Sequence, residues 1–131
     1  MLVTMPLFTD RFPSVLIVDD DVTILELLAE GFQLFGCQVL TAENGLEAWT
    51  LFNSHAIDIV LTDIRMPGMD GMQLSQRIRS QSPSVRIGVM TGGDAHAANK
   101  LLEDGTADYY FQKPFDLMGA CKSMVGEAQT A

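Results

Sequence analysis

Five polar residues stand at the ends of apolar runs, and their types suit phosphoryl chemistry. Asp19 and Asp20 follow the run VLIV at 15–18, and Asp63 follows IDIVLT at 57–62. Thr91 closes SVRIGVMT, with Gly92 and Gly93 behind it, and Lys113 follows ADYYFQ and precedes Pro114. Taken singly, each has an ordinary reading. Asp20 or Asp21 could cap a helix, Asp63 could open a turn, Thr91 could be a cap and Lys113 a solvated charge. Taken together they describe a site. Two unit charges 4 Å apart repel by about 4 kcal/mol at an effective dielectric of 20, so three gathered carboxylates call for a counter-ion. An oxygen-only donor set with room for water suits Mg²⁺ better than zinc. A carboxylate beside such an ion, a lysine and a hydroxyl is equipped to attack phosphorus and become an acyl phosphate. Asp63 is the favoured nucleophile, with Asp19 and Asp20 as metal binders.

The chain offers regular elements to carry these residues. The unbroken aliphatic run at 15–18 predicts a strand covered on both faces. In VTILELLAEGFQLFG, residues Leu25, Leu28, Phe32 and Phe35 recur at helical spacing, with Thr23 and Glu26 as a candidate capping box and Gly36 as a stop. Strands are expected at 37–41, 57–62, 84–91 and 107–112. Helices are expected in NGLEAWTLFN, with Ala48, Trp49 and Phe52 inward, in GMQLSQRIRS, in DAHAANKLLEDG from an Asp94 cap to Gly105, and in DLMGACKSMVGEA. Five strands alternating with five helices predict a doubly wound α/β domain with a parallel sheet. Ligands of such folds bind beyond the carboxyl ends of the strands, where the five polar residues fall.

Composition narrows the partners. Eight Lys and Arg against 17 Asp and Glu give a net charge of −9, which argues against direct binding to nucleic acid or an anionic membrane. No apolar run approaches the roughly 18 residues of a membrane span. The opening MLVTMPLFTDRFP lacks the marks of a signal peptide and is read as a short extension. Cys37 and Cys121 lack metal-ligand spacing and are read as reduced packing residues of a cytoplasmic protein. His55 and His96 are expected at the surface, and Gly92-Gly93 lacks the continuation of a phosphate-binding loop. Apolar residues, at 47% of the 131, suffice for one core.

The motifs VLIVDDD, AENGLEAW, DIVLTDIRMPGMDG, IGVMTGG and YYFQKPF, in this order, resemble the response-regulator receiver domains of two-component signalling, including the chemotaxis regulator with its flavodoxin-like fold. The resemblance implies a (βα)5 sandwich with strand order 2-1-3-4-5, spanning 14–128 between an extension at 1–13 and a tail at 129–131. It implies phosphorylation of Asp63 by a histidine kinase or phosphotransfer protein in a Mg²⁺-dependent reaction. It implies direct metal binding by Asp20, help from Asp19 through water, and a further ligand in the backbone carbonyl of Arg65. Thr91 and Lys113 would hold the phosphoryl oxygens. Tyr110 would turn inward as Thr91 moves, and Lys113-Pro114 would be cis. The face of the fourth helix, fifth strand and fifth helix would change on activation and is the family's face for an output protein or a homodimer. Thr106-Ala107 replaces the family's usual Gly-Ala, with Gly105 one place earlier, which predicts an altered end to the fourth helix. Gly119 and Gly126 predict a short last helix.

Such a protein is a switch rather than an enzyme, turning over only its own phosphoryl group. A haloacid-dehalogenase-type phosphatase is the alternative from another class, but it carries DxD after the first strand with the nucleophile first. A degenerate receiver that only binds is disfavoured because every site residue is present. With no second domain in the sequence, two readings stay open: a stand-alone regulator, or a fragment of a larger regulator or hybrid kinase.

Overall fold

The computed structural model describes residues 12–126. Residues 1–11 of the expected extension, the end of the expected domain at 127–128 and the whole tail at 129–131 lie outside the described residues. Five strands alternate with five helices: β1 (Ser14–Val18), α1 (Val22–Leu34), β2 (Gln38–Ala42), α2 (Gly45–Ser54), β3 (Ile59–Asp63), α3 (Gly71–Gln81), β4 (Arg86–Thr91), α4 (Ala95–Glu103), β5 (Tyr109–Gln112) and α5 (Leu117–Val125). All strand pairs are parallel, in the order β2-β1-β3-β4-β5. The expected doubly wound fold is therefore present. No described helix is long and apolar enough to cross a membrane.

Alternation along the strands builds two cores. Leu16, Val18, Val60, Ile87 and Val89 face α2, α3 and α4, packing against Ala48, Phe52, Leu74, Ile78, Ala98 and Leu101. Val15, Ile17, Ile59, Leu61 and Met90 face α1 and α5, packing against Leu25, Leu28, Phe32, Cys121 and Met124. Because both faces are covered, the central strands read as continuous apolar runs rather than alternating ones. Burying each large side chain contributes about 1.5–3 kcal/mol relative to exposure. Both cysteines are free and buried in the second core.

Helix caps correct one expectation. Thr23 and Glu26 do not form a capping box; Thr23 already lies inside α1. Asp21 is the cap, and its carboxylate accepts from the amides of Thr23 and Ile24 at 3.0 and 3.4 Å. A carboxylate one residue ahead of the helix wins because it reaches two otherwise unpaired N–H groups. The reciprocal box occurs at α3 instead, where Asp70 accepts from the Gln73 amide and Gln73 returns a bond to the Asp70 amide. Asp94 caps α4 as expected.

The departures near the fourth and fifth helices have local causes. Gly105 follows the end of α4 with φ +82°, a left-handed turn that glycine adopts without a Cβ penalty. Thr106 is thereby tucked into a buried position, its amide bonded to Asp104 and its carbonyl accepting from Arg79. At the same edge of the sheet, α5 runs nine residues, as many as α4, and its C-cap is Gly126 with φ +69°.

Candidate functional site

Sheet register assembles the site. Val18 pairs with Thr62, so Asp19 and Asp63 are the next residues along adjacent parallel strands. Asp63 pairs with Met90 and Thr91 with Gln112, which brings Thr91 and Lys113 to the same edge. Adjacent strands lie about 4.8 Å apart, so carboxylates arriving in register are forced into each other's field. Carboxylate oxygens of Asp19, Asp20 and Asp63 all lie within 4.8 Å of one another. Asp19 and Asp63 are buried, whereas Asp20 is open to solvent.

Lys113 reaches into this cluster from the end of β5. Its Nζ donates to Asp19 Oδ2 at 2.7 Å and to Asp63 Oδ2 at 3.4 Å. The other oxygen of Asp19 accepts from the Asp21 amide at 2.9 Å, and that of Asp63 accepts from the Arg65 amide at 3.4 Å. Burial pushes the Asp63 carboxyl above its usual range and the charge of Asp19 adds to this, with Lys113 and the Arg65 amide opposing. Burial by itself would lower the Lys113 ammonium, but its hydrogen bond to Asp19 and the charges of Asp19 and Asp63 outweigh that and raise it. Lys113 therefore stays charged, and it holds Asp19 more closely than Asp63.

Three carboxylates face one ammonium, an excess of two negative charges. A divalent cation matches that excess, and the all-oxygen donor set matches Mg²⁺. The residues present thus fit the ion that the sequence implies.

Thr91 is buried, and its Oγ1 accepts from the amides of Gly93 and Asp94 at 3.3 and 3.2 Å. Tyr110 is half-buried on β5 against the core under α4. The Lys113-Pro114 peptide bond is cis. Arg65 is exposed, and its Nε donates to Asp94 Oδ2 at 2.9 Å. Asp19, Asp20, Asp63, Arg65, Thr91 and Lys113 therefore lie at the carboxyl edge of the sheet, with Tyr110 further back on β5. His55 and His96 are exposed, His55 after the end of α2 and His96 in the first turn of α4. What the sequence reading missed is the Arg65–Asp94 pair; its partners are 29 residues apart and carry no local signal.

A parallel sheet in this order, with an acidic triad, a lysine and a buried threonine at its carboxyl edge, defines a phospho-accepting signalling domain. The chain belongs to the response regulator receiver domain family, whose family model matches residues 15–123. It is 36% identical over 105 residues to sporulation initiation phosphotransferase F of Bacillus subtilis, covering 79% of this chain and 84% of that protein. It is 38% identical over 102 residues to the DNA-binding transcriptional regulator NtrC of Escherichia coli, covering 77% of this chain but spanning only 22% of that regulator's length. Among solved structures, a receiver domain protein from Clostridium thermocellum matches with TM-score 0.80 at 28% identity, covering 91% of this chain and 95% of that one. The chemotaxis protein CheY4 of Vibrio cholerae matches with TM-score 0.78 at 26% identity, over 86% of this chain and 96% of that one.

Proposed function

We propose that Asp63 accepts a phosphoryl group from the phosphohistidine of a histidine kinase or phosphotransfer protein, and that Mg²⁺ is required. The observation that carries this reading is the convergence of Asp19, Asp20 and Asp63 around Lys113. Asp19, Asp20, Asp63 and the backbone carbonyl of Arg65 would hold the ion. When bound, it supplies positive charge for the phosphoryl oxygens.

An oxygen of Asp63 attacks phosphorus as the P–N bond breaks, and the bonding electron pair returns to the imidazole nitrogen. One P–O bond replaces one P–N bond, and the product is an acyl phosphate. Lys113 neutralises charge on the transferring group. The Thr91 hydroxyl then donates to a phosphoryl oxygen, and Tyr110 fills the space that Thr91 leaves. Phosphorylation adds nearly two negative charges and three acceptors. A full switch from 1:99 to 99:1 between resting and active forms takes roughly 5.5 kcal/mol of differential interaction. The readout is the surface of α4, β5 and α5, which would receive an output protein or a second copy of the chain. Turnover is confined to the protein's own phosphoryl group, in a cytoplasmic setting.

A second reading concerns context. The match spans 22% of NtrC and 11% of the sensor histidine kinase RcsC of Salmonella typhimurium, which supports a role as one module of a longer regulator or hybrid kinase. The acceptor chemistry is the same in either setting.

Trapping tests the assignment. After incubation with Mg²⁺ and acetyl phosphate, borohydride reduces an aspartyl phosphate to homoserine. Peptide mapping should place the homoserine at position 63. Its appearance at Asp19 or Asp20 instead would overturn the choice of nucleophile.

A further inference from the structure

One ion pair crosses the mouth of the site. Arg65 stands two residues beyond Asp63 in the β3–α3 loop, and Asp94 stands three beyond Thr91 in the β4–α4 loop. Arg65 Nε donates to Asp94 Oδ2 at 2.9 Å. The other carboxylate oxygen of Asp94 accepts from the Ala97 amide, and the Asp94 amide donates to Thr91 Oγ1 at 3.2 Å, beside the Gly93 amide at 3.3 Å. Arg65 is thus linked through one residue to the hydroxyl of Thr91. Its own amide meanwhile donates to Asp63 Oδ1.

We propose that the Arg65–Asp94 pair is a latch that holds the β4–α4 loop, and with it the Thr91 hydroxyl, in the resting arrangement. Two amides grip Thr91 Oγ1, and the residue supplying one of them is tethered from across the mouth. For Thr91 to approach a phosphoryl group on Asp63, that loop must shift with it. A phosphoryl group also offers Arg65 a rival anion of nearly twice the charge of a carboxylate. Phosphorylation and unlatching are then coupled, and Arg65 and Asp94 act as positioning residues through Thr91. The kinetic part of this inference rests on Asp63 being the acceptor.

The test uses Arg65→Gln, Arg65→Lys, Asp94→Ser and the Arg65→Gln/Asp94→Ser double variant. Serine at position 94 keeps an oxygen that can cap α4. Two quantities are read: amide hydrogen exchange at Gly93 in the unphosphorylated protein, and the rate of phosphoryl uptake from acetyl phosphate with Mg²⁺. A partly exposed ion pair sets the scale, so Arg65→Gln and Asp94→Ser should each raise both rates about two- to fivefold. The double variant should gain no more than either single one, because one latch is broken once, and Arg65→Lys should keep Gly93 exchange slower than Arg65→Gln does. Unchanged Gly93 exchange in Arg65→Gln overturns the latch, as do effects that multiply in the double variant. Faster Gly93 exchange in a protein that takes up no phosphoryl group upholds the latch and overturns the acceptor assignment instead.

Discussion

Lys113 Nζ lies 2.7 Å from Asp19 and 3.4 Å from Asp63. The tighter ion pair is therefore with Asp19, the fully buried aspartate, rather than with Asp63. Asp19 anchors the ammonium, while the two Asp63 oxygens are held only by longer contacts of 3.4 Å, one from Lys113 and one from the Arg65 amide.

Removing the charge of Asp63 should stabilise the metal-free protein. Burial and the charge of Asp19 both disfavour its ionised form in the folded state. Asp63→Asn is expected to raise the unfolding free energy in chelator. Lys113→Met should lower it by about 1–3 kcal/mol, because Asp19 then keeps a buried charge without its partner. Urea midpoints with and without Mg²⁺ measure both effects.

Gly71 is required by close approach, not by an unusual φ. A Cβ there would collide with the backbone carbonyl oxygen of Asp63, at the first residue of α3. Gly71→Ala should cost about 1–3 kcal/mol and displace the loop that follows Asp63. Gly93→Ala is the control: nothing lies within 4 Å of a Cβ built at that position, and its thermal midpoint should stay near that of the parent protein.

Arg79 ties the opposite end of the sheet together. Its guanidinium donates to the carbonyls of Pro83, Val85 and Thr106 and to the carboxylate of Asp108. Arg79→Lys cannot reproduce that planar fork and should cost about 1–3 kcal/mol by chemical denaturation, leaving buried carbonyls unpaired.

The two thiols give the pH dependence. Burial pushes Cys37 up to about 11, with the charge of Asp58 adding to it, and burial likewise pushes Cys121 up to about 12. In the unfolded chain both would ionise near pH 8.5. Between these values the unfolded state binds fewer protons than the folded one, so stability should fall as pH rises above about 8.5. Cys37→Ala/Cys121→Ala should flatten that slope. A disulfide reagent at pH 8 should label the native protein far more slowly than the urea-unfolded chain.

Much of this was legible in the sequence because buried parallel strands announce themselves. Runs such as VLIV at 15–18 are apolar without interruption, and the residues ending them fall at one edge once the strands are parallel. Strand boundaries shifted by a residue or two: Asp63 is the last residue of β3 rather than the first beyond it, and β2 begins at Gln38 rather than Cys37. The sequence offers two caps for α1, an aspartate at 20 or 21 and the Thr23–Glu26 box, and pattern alone does not choose between them because they compete for the same amides; Asp21 takes them. Strand order came through the family resemblance, since periodicity does not encode which neighbours pair. The preference of Lys113 for Asp19, 94 residues away, and the Arg65–Asp94 tie were beyond local pattern because both are products of register and loop closure.

Intact mass spectrometry tests the central claim most directly. The protein, Asp63→Asn and a chelator-treated sample are each incubated with acetyl phosphate. One added phosphoryl group is expected on the protein with Mg²⁺, and none on Asp63→Asn or in chelator. Equal labelling of all three samples, or no labelling of the protein with Mg²⁺ present, would contradict a metal-dependent acceptor at Asp63.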